Sequence, residues 1–150
     1  MPNYGEREKR NKMKIVINRC YGGFGLSQKA MEMYYGFRNT KIKPYYYNYD
    51  DHKYHIANGD KSGMRMYFID DGNIPDSFFD TDIKEKNYTH VYCRDIERND
   101  PDLVKTVEIL GEEANDRYAE LEIVDIPDDV NWEIEEYDGR EWVAEVHRTW

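Results

Sequence analysis

A glycine-rich stretch between an apolar run and a serine is the part of this chain best suited to chemistry. Lys14-Ile15-Val16-Ile17-Asn18-Arg19-Cys20-Tyr21-Gly22-Gly23-Phe24-Gly25-Leu26-Ser27 reads as a buried strand, a tight turn and a helix start. Gly22, Gly23 and Gly25 leave backbone N–H groups free to approach a ligand closely. Ser27 can cap a helix whose N-terminus points at the same place. Such a junction favours anions, phosphate among them. It is neither a Walker A loop nor the dinucleotide fingerprint, because the glycine spacing differs and no lysine directly follows the last glycine. The competing reading is a turn whose glycines serve geometry alone.

Four further groups carry functional side chains. His147-Arg148-Thr149-Trp150 offers a bidentate phosphate grip through Arg148, a donor in His147 and a stacking ring in Trp150; the alternative is an edge strand with Trp150 sealing the core. Cys20 beside a helix N-terminus could be an activated thiolate with His147 or His90 as base, or a buried structural thiol. His52 and His55, within Asp50-Asp51-His52-Lys53-Tyr54-His55, have the spacing to share a metal on one helical turn, but no second Cys or His cluster completes a tetrahedral site. Tyr45, Tyr46, Tyr47, Tyr49 and Tyr54 lie among Arg38, Lys41, Lys43 and Lys53. That combination suits base stacking, an interface or ordinary packing.

The 150 residues suit one domain. The net charge of −10 is uneven. Residues 1–43 hold ten Lys and Arg against three acids, whereas residues 95–150 hold nineteen acids against five. That balance argues against a duplex nucleic acid partner, which needs a basic footprint. The acidic residues Glu112, Glu113, Asp128, Asp129, Glu133, Glu135 and Glu136 form a solvated face, or mimic nucleic-acid charge to block a basic protein. Cys20 and Cys93 are the only cysteines and are expected as free thiols in a reducing cytosol. No apolar run approaches a membrane span, and the polar start is no signal peptide.

These groups need elements to position them. Residues 1–12 read as a flexible leader and 13–150 as a single small α+β domain, with a mixed β-sheet, two main helices and a C-terminal β-hairpin. The first strand covers 14–18 and the first helix 27–35, with Gly36 as its stop. Residues 37–62 show no clear period. A strand over 64–69 closes at Asp71-Gly72, residues 73–87 read as loop, and 89–93 as a short strand. Asp100 and Pro101 start a second helix with the stripe Leu103, Val104, Val107 and Leu110 and a left-handed cap at Asn115. A strand over 121–126 follows. Asp138-Gly139 then predicts a hairpin pairing Tyr137 with Arg140 and Ile134 with Val143.

Residues 14–27, 99–104 (Asn-Asp-Pro-Asp-Leu-Val), 126–130 (Ile-Pro-Asp-Asp-Val) and 136–150 (Glu-Tyr-Asp-Gly-Arg-Glu-Trp-Val-Ala-Glu-Val-His-Arg-Thr-Trp) resemble a family of small, uncharacterised phage-encoded proteins. The resemblance covers somewhat under half of the chain. It implies a viral or prophage source and the host cytoplasm, and it brings no activity and no catalytic residue with it.

Together these readings predict a phage protein that binds and sequesters a small anionic, nucleotide-like signalling molecule to counter host immunity. The ligand-binding residues would be Cys20, Tyr21, Gly22, Gly23, Phe24, Gly25, Ser27, His147, Arg148 and Trp150, with no cofactor and no metal. A homo-oligomer is expected, since symmetric assembly is common and pockets form between chains. Two alternatives stand beside it: an acidic interaction protein inhibiting a host enzyme, and a small Cys/His-dependent hydrolase or transferase. No paired acid–base motif of known mechanics supports the enzyme.

Overall fold

In the computed structural model, which describes residues 11–57 and 64–146, the apolar run forms β1 (Lys12–Asn18). Ile15, Val16, Ile17 and Asn18 are fully buried. β1 pairs antiparallel with β7 (Leu121–Pro127), Ile15 opposite Val124. Among the described residues no strand pairs with its other edge. The Val16 N–H donates instead to the Arg98 carbonyl at 2.8 Å.

The expectation of one mixed sheet is corrected, since among the described residues every strand pairing is antiparallel and the strands form three sheets. The largest has the order β5 (Ser77–Phe79), β3 (Lys53–Ile56), β2 (Ile42–Asn48), β4 (Met66–Ile69) and β6 (His90–Val91). The third is the hairpin β8 (Trp132–Tyr137) and β9 (Arg140–Glu145). A parallel pair needs a long crossover that returns to the same sheet. Here the helical connection after β1 leads into a different sheet.

Helix α1 (Gln28–Phe37) starts at Ser27, whose side chain accepts from the Ala30 N–H. It runs past the expected stop at Gly36, and the left-handed residue is Asn39 (φ 54°). A short α2 (Asp80–Glu85) lies with β5 in the stretch expected as loop. Helix α3 (Pro101–Leu110) begins as expected, with the Asp100 carboxylate accepting from the Asp102 N–H at 2.9 Å. The left-handed cap expected at Asn115 is not found: the helix ends at Gly111, with φ 56° and ψ −126°, Asn115 follows a 3-10 turn with φ −71°, and its side chain accepts from the Leu121 N–H. α1 and α3 bury Met31, Leu103 and Val107 against Val16 and Tyr67. The hairpin has the predicted register, with Tyr137 opposite Arg140 and Ile134 opposite Val143. Asp138 and Gly139 both take positive φ, 50° and 89°, as a type I′ turn requires. Among the described residues no helix is long and apolar enough to cross a membrane.

A second core, built from Tyr45, Phe68, Ile74 and Phe78, occupies one face of the five-stranded sheet. Phe68 and Tyr92 flank the His90 ring at centroid distances of 4.6 and 3.9 Å. Burial among these rings pushes the His90 pKa down, helped by the Arg94 guanidinium and opposed by Asp95. A depressed folded-state value means the unfolded chain binds the proton more readily. The His90 contribution to stability is therefore complete above about pH 6.5 and falls as the pH drops from there toward the folded value. His90→Phe, which keeps the ring stack, should flatten that slope by up to about 1.4 kcal/mol per pH unit. Urea unfolding at neutral and mildly acidic pH measures the difference; parallel slopes would show that His90 titrates alike in both states.

Candidate functional site

The glycine-rich junction lies against the protein's own chain. A Cβ on Gly22 would overlap the Tyr118 backbone, and one on Gly25 would sit 2.9 Å from the Asp116 Oδ2. From the other side the hairpin tip closes in: a Cβ on Gly139 would sit 2.5 Å from the Tyr21 carbonyl oxygen and 2.6 Å from the Gly23 nitrogen. The close approach these glycines permit is chain on chain. The Gly25 carbonyl accepts from the Asp116 N–H, the Ser27 N–H donates to the Ala114 carbonyl, and the Ser27 hydroxyl donates to the Glu113 carbonyl at 2.6 Å. The nearby carboxylates are those of Asp116 and of Glu113, the latter paired with Lys29 at 3.3 Å. An incoming anion at the start of α1 would meet negative charge already in place.

Beneath the junction sits Asn18, fully buried. Its side-chain amide donates to the carbonyls of Cys20 (2.6 Å) and Gly139 (2.9 Å). Its side-chain oxygen accepts from the N–H groups of Cys20 (3.2 Å) and Glu120 (2.8 Å). One residue thus ties the end of β1, the turn, the start of β7 and the hairpin tip. Glu141 on β9 is the second tie, only 6% exposed. It accepts from the Asn18 N–H at 2.8 Å and takes both arms of the Arg98 guanidinium at 2.7 and 2.8 Å. Arg98 lies over the Phe24 ring, 3.5 Å from its centroid. The open edge of β1 is therefore sealed by a carboxylate and an arginine instead of a strand, which removes an aggregation-prone edge.

The remaining candidates disperse. Cys20 is half-buried, and among the described residues no hydrogen bond joins it to a histidine; His90 sits in its ring stack. Burial pushes the Cys93 thiol up, against a backbone hydrogen bond from Leu26 that lowers it. His147, Arg148 and Trp150 lie outside the described residues. His55 bonds Asp51 at 2.7 Å. Burial raises the Asp51 pKa, but the bonds from His55 and the Lys53 N–H, with the charges of both residues, hold it below the usual value. His52 meets the Tyr47 hydroxyl. Among the described residues no three His, Cys, Asp or Glu side chains are placed to hold a metal. Tyr45 is core, and its hydroxyl donates to the Pro75 carbonyl. Arg38, Lys41 and Lys43 pair with Asp100, Asp70 and Asp76, and Lys53 covers Phe79, so the expected basic strip is spent on internal partners. An open depression of about 310 Å³ at the end of α1 is lined by Glu32, Gly36, Asn39, Thr40, Lys41 and Ile42, none of them from the junction or the hairpin.

The outward face of the hairpin has free chemistry. Cross-strand pairing puts Glu133 with Ala144, Glu135 with Trp142 and Tyr137 with Arg140 on one face, because facing residues share a side. Tyr137 is 73% and Trp142 39% exposed. The Trp142 indole donates to the Glu135 carboxylate at 3.0 Å, which fixes the ring across the ribbon. Among the described residues Glu133, Glu135, Glu136, Asp138 and Glu145 form no ion pair. Sequence reasoning marked the acids and missed the rings between them. It also missed Asn18, Arg98 and Glu141; the available signal was Glu141 itself, which shares a strand face with Val143.

Comparison of the chain with protein-family models, with curated proteins and with solved structures found no match.

Proposed function

We propose that this chain is an acidic interaction protein whose C-terminal hairpin grips a basic surface on a partner protein and covers the site where that partner holds a polyanion. The observation that carries this reading is one hairpin face on which the carboxylates of Glu133 and Glu135, without an ion pair among the described residues, flank a pinned Trp142 and an exposed Tyr137, with Arg140 at the turn end, on a ribbon braced by the buried Arg98–Glu141 pair. A predominance of negative charge steers encounter and disfavours acidic partners. Aromatic side chains held in place supply the short-range anchor. The resemblance to phage-encoded proteins directs the search to basic host proteins in the host cytoplasm. Nucleotide capture draws on less: Gly22 and Gly25 lie against Tyr118 and Asp116, Tyr21 is exposed with no polar group gathered beside it among the hydrogen bonds of the junction, and the other three residues lie outside the described part.

The test sets purified basic host proteins and a panel of cyclic and ADP-ribose-type nucleotides against the wild type and a Glu133→Lys/Glu135→Lys variant. A protein partner should bind the wild type, weaken as salt rises, and lose at least about tenfold in affinity in the variant at unchanged melting temperature. Equal binding by both forms, or a nucleotide retained by both and released intact on heating, overturns the reading.

A further inference from the structure

We infer that the partner binds this hairpin by adding a strand along the outer edge of β8, and that the added segment is extended, with cationic and apolar side chains in alternation. The inference rests on the hairpin reading above and specifies its contact.

The phase of the β8–β9 ladder is fixed at both ends. A two-residue turn makes Tyr137 and Arg140 a hydrogen-bonded pair, and the Val146 N–H donates to the Asn131 carbonyl at 2.9 Å. Alternation between those ends turns the N–H and C=O groups of Trp132, Ile134 and Glu136 away from β9. Among the described residues no strand pairs with that edge. β9 lies on the body side, where Glu141 reaches the β1 backbone, so β8 is the outer strand of the ribbon.

The outer edge of β7 differs. On its outer side the Leu121 N–H is taken by the Asn115 side chain, and Pro127 has no N–H to offer. The β8 edge has neither device, only charge. Glu133, Glu135 and Glu136 would face like charges if a second copy paired there, which is destabilising, so self-pairing is opposed. The same carboxylates attract a basic strand. Next to β8 its cationic side chains would flank Glu133 and Glu135 on the outward face, and apolar ones would flank Trp132 and Ile134 on the inward face. Main-chain bonds give such a contact its affinity and the alternating side chains its specificity.

The probe is a synthetic capped heptapeptide of alternating lysine and valine, with a peptide of the same composition in block order as control. Amide hydrogen exchange on the full chain and titration calorimetry read the result. The alternating peptide should slow exchange at Trp132, Ile134 and Glu136 by at least about tenfold and bind more tightly than the block peptide. Glu136→Pro, which removes an outward N–H and spares the ladder to β9, should lose at least about tenfold in affinity relative to Glu136→Gln, which removes the same charge. Binding that Glu133→Lys/Glu135→Lys abolishes while Glu136→Pro matches Glu136→Gln, with the three amides unprotected, overturns strand addition and leaves the acidic-face reading standing. No binding of either peptide at low salt overturns both. If Glu136→Pro fails to fold, the exchange measurement on the wild type decides.

Discussion

Arg98→Met should destabilise the fold by about 3–5 kcal/mol, the effect of leaving a buried carboxylate without its cation. Methionine keeps the contact with the Phe24 ring that the guanidinium now makes, so the loss is that of the charge and of the guanidinium's hydrogen bonds, one of which runs to the Val16 carbonyl at 3.3 Å. Glu141 is not anchored by Arg98 alone, since it also accepts from the Asn18 N–H. Replacing the carboxylate by a hydrocarbon would orphan that amide, which itself costs about 1–3 kcal/mol. Glu141→Gln keeps the acceptor and removes the charge. The double variant Arg98→Met/Glu141→Gln should therefore recover at least about 1 kcal/mol relative to Arg98→Met, a coupling that a double-mutant cycle in urea measures. A loss under about 1 kcal/mol for Arg98→Met, or additive losses in the cycle, would show that the pair does not brace the hairpin. The hairpin is two-stranded, and such ribbons are marginal alone. The proposed interaction surface accordingly depends on this buried pair, together with the Asn18 contacts to Glu141 and Gly139, for its orientation.

Several elements were legible because local rules and tertiary packing agree there. Ser27, Asp100, Pro101 and the Asp138-Gly139 turn each act through neighbours within a few residues. The five-stranded sheet was legible only in part: the strands expected over 64–69 and 89–93 are present as β4 and β6, whereas β2, β3 and β5 were not. Tyr45 is buried whereas Tyr46 and Tyr47 are both half-buried, so three tyrosines in a row carry no period of two. Pro44 also argues against a central strand, yet it lies one residue beyond the ladder that joins β2 to β3. The hairpin misleads in the opposite sense. Alternation turns either Glu141 or Trp142 inward, and hydrophobicity selects Trp142. The structure buries Glu141 and leaves Trp142 at the surface, because Arg98, forty-three positions earlier, supplies the missing charge. No local pattern reports a partner that distant. The glycine-rich junction was legible as a strand-to-helix turn, but the contents of its concavity are set by Tyr118, Asp116 and Gly139, which only the folded chain brings there.

The second large effect is expected at Asn18. Asn18→Asp changes almost no volume and should still cost at least about 3 kcal/mol at neutral pH. The side-chain amide now donates to two carbonyls, of Cys20 and Gly139. An ionised aspartate would present an oxygen to both, in a fully buried site with a second carboxylate at its own N–H. Desolvation and these acceptors raise the folded-state pKa of the new carboxyl above its unfolded value of about 3.9. Between those two values the folded state binds the extra proton, so stability relative to wild type falls as pH rises through that window and then levels off. The deficit at pH 7 should accordingly exceed that near pH 4, and it should narrow by up to about 1.4 kcal/mol per unit within the window. It should not vanish there, because a protonated carboxyl has one hydrogen to offer two carbonyls. Urea melts of both proteins across that range supply the measurement, and a deficit independent of pH would mean the new carboxyl reaches solvent. Because the Gly139 carbonyl is one of the two acceptors, the variant should also speed amide exchange along β8 and β9 more than along β2 and β3. That contrast separates a loosened hairpin from a fold weakened throughout.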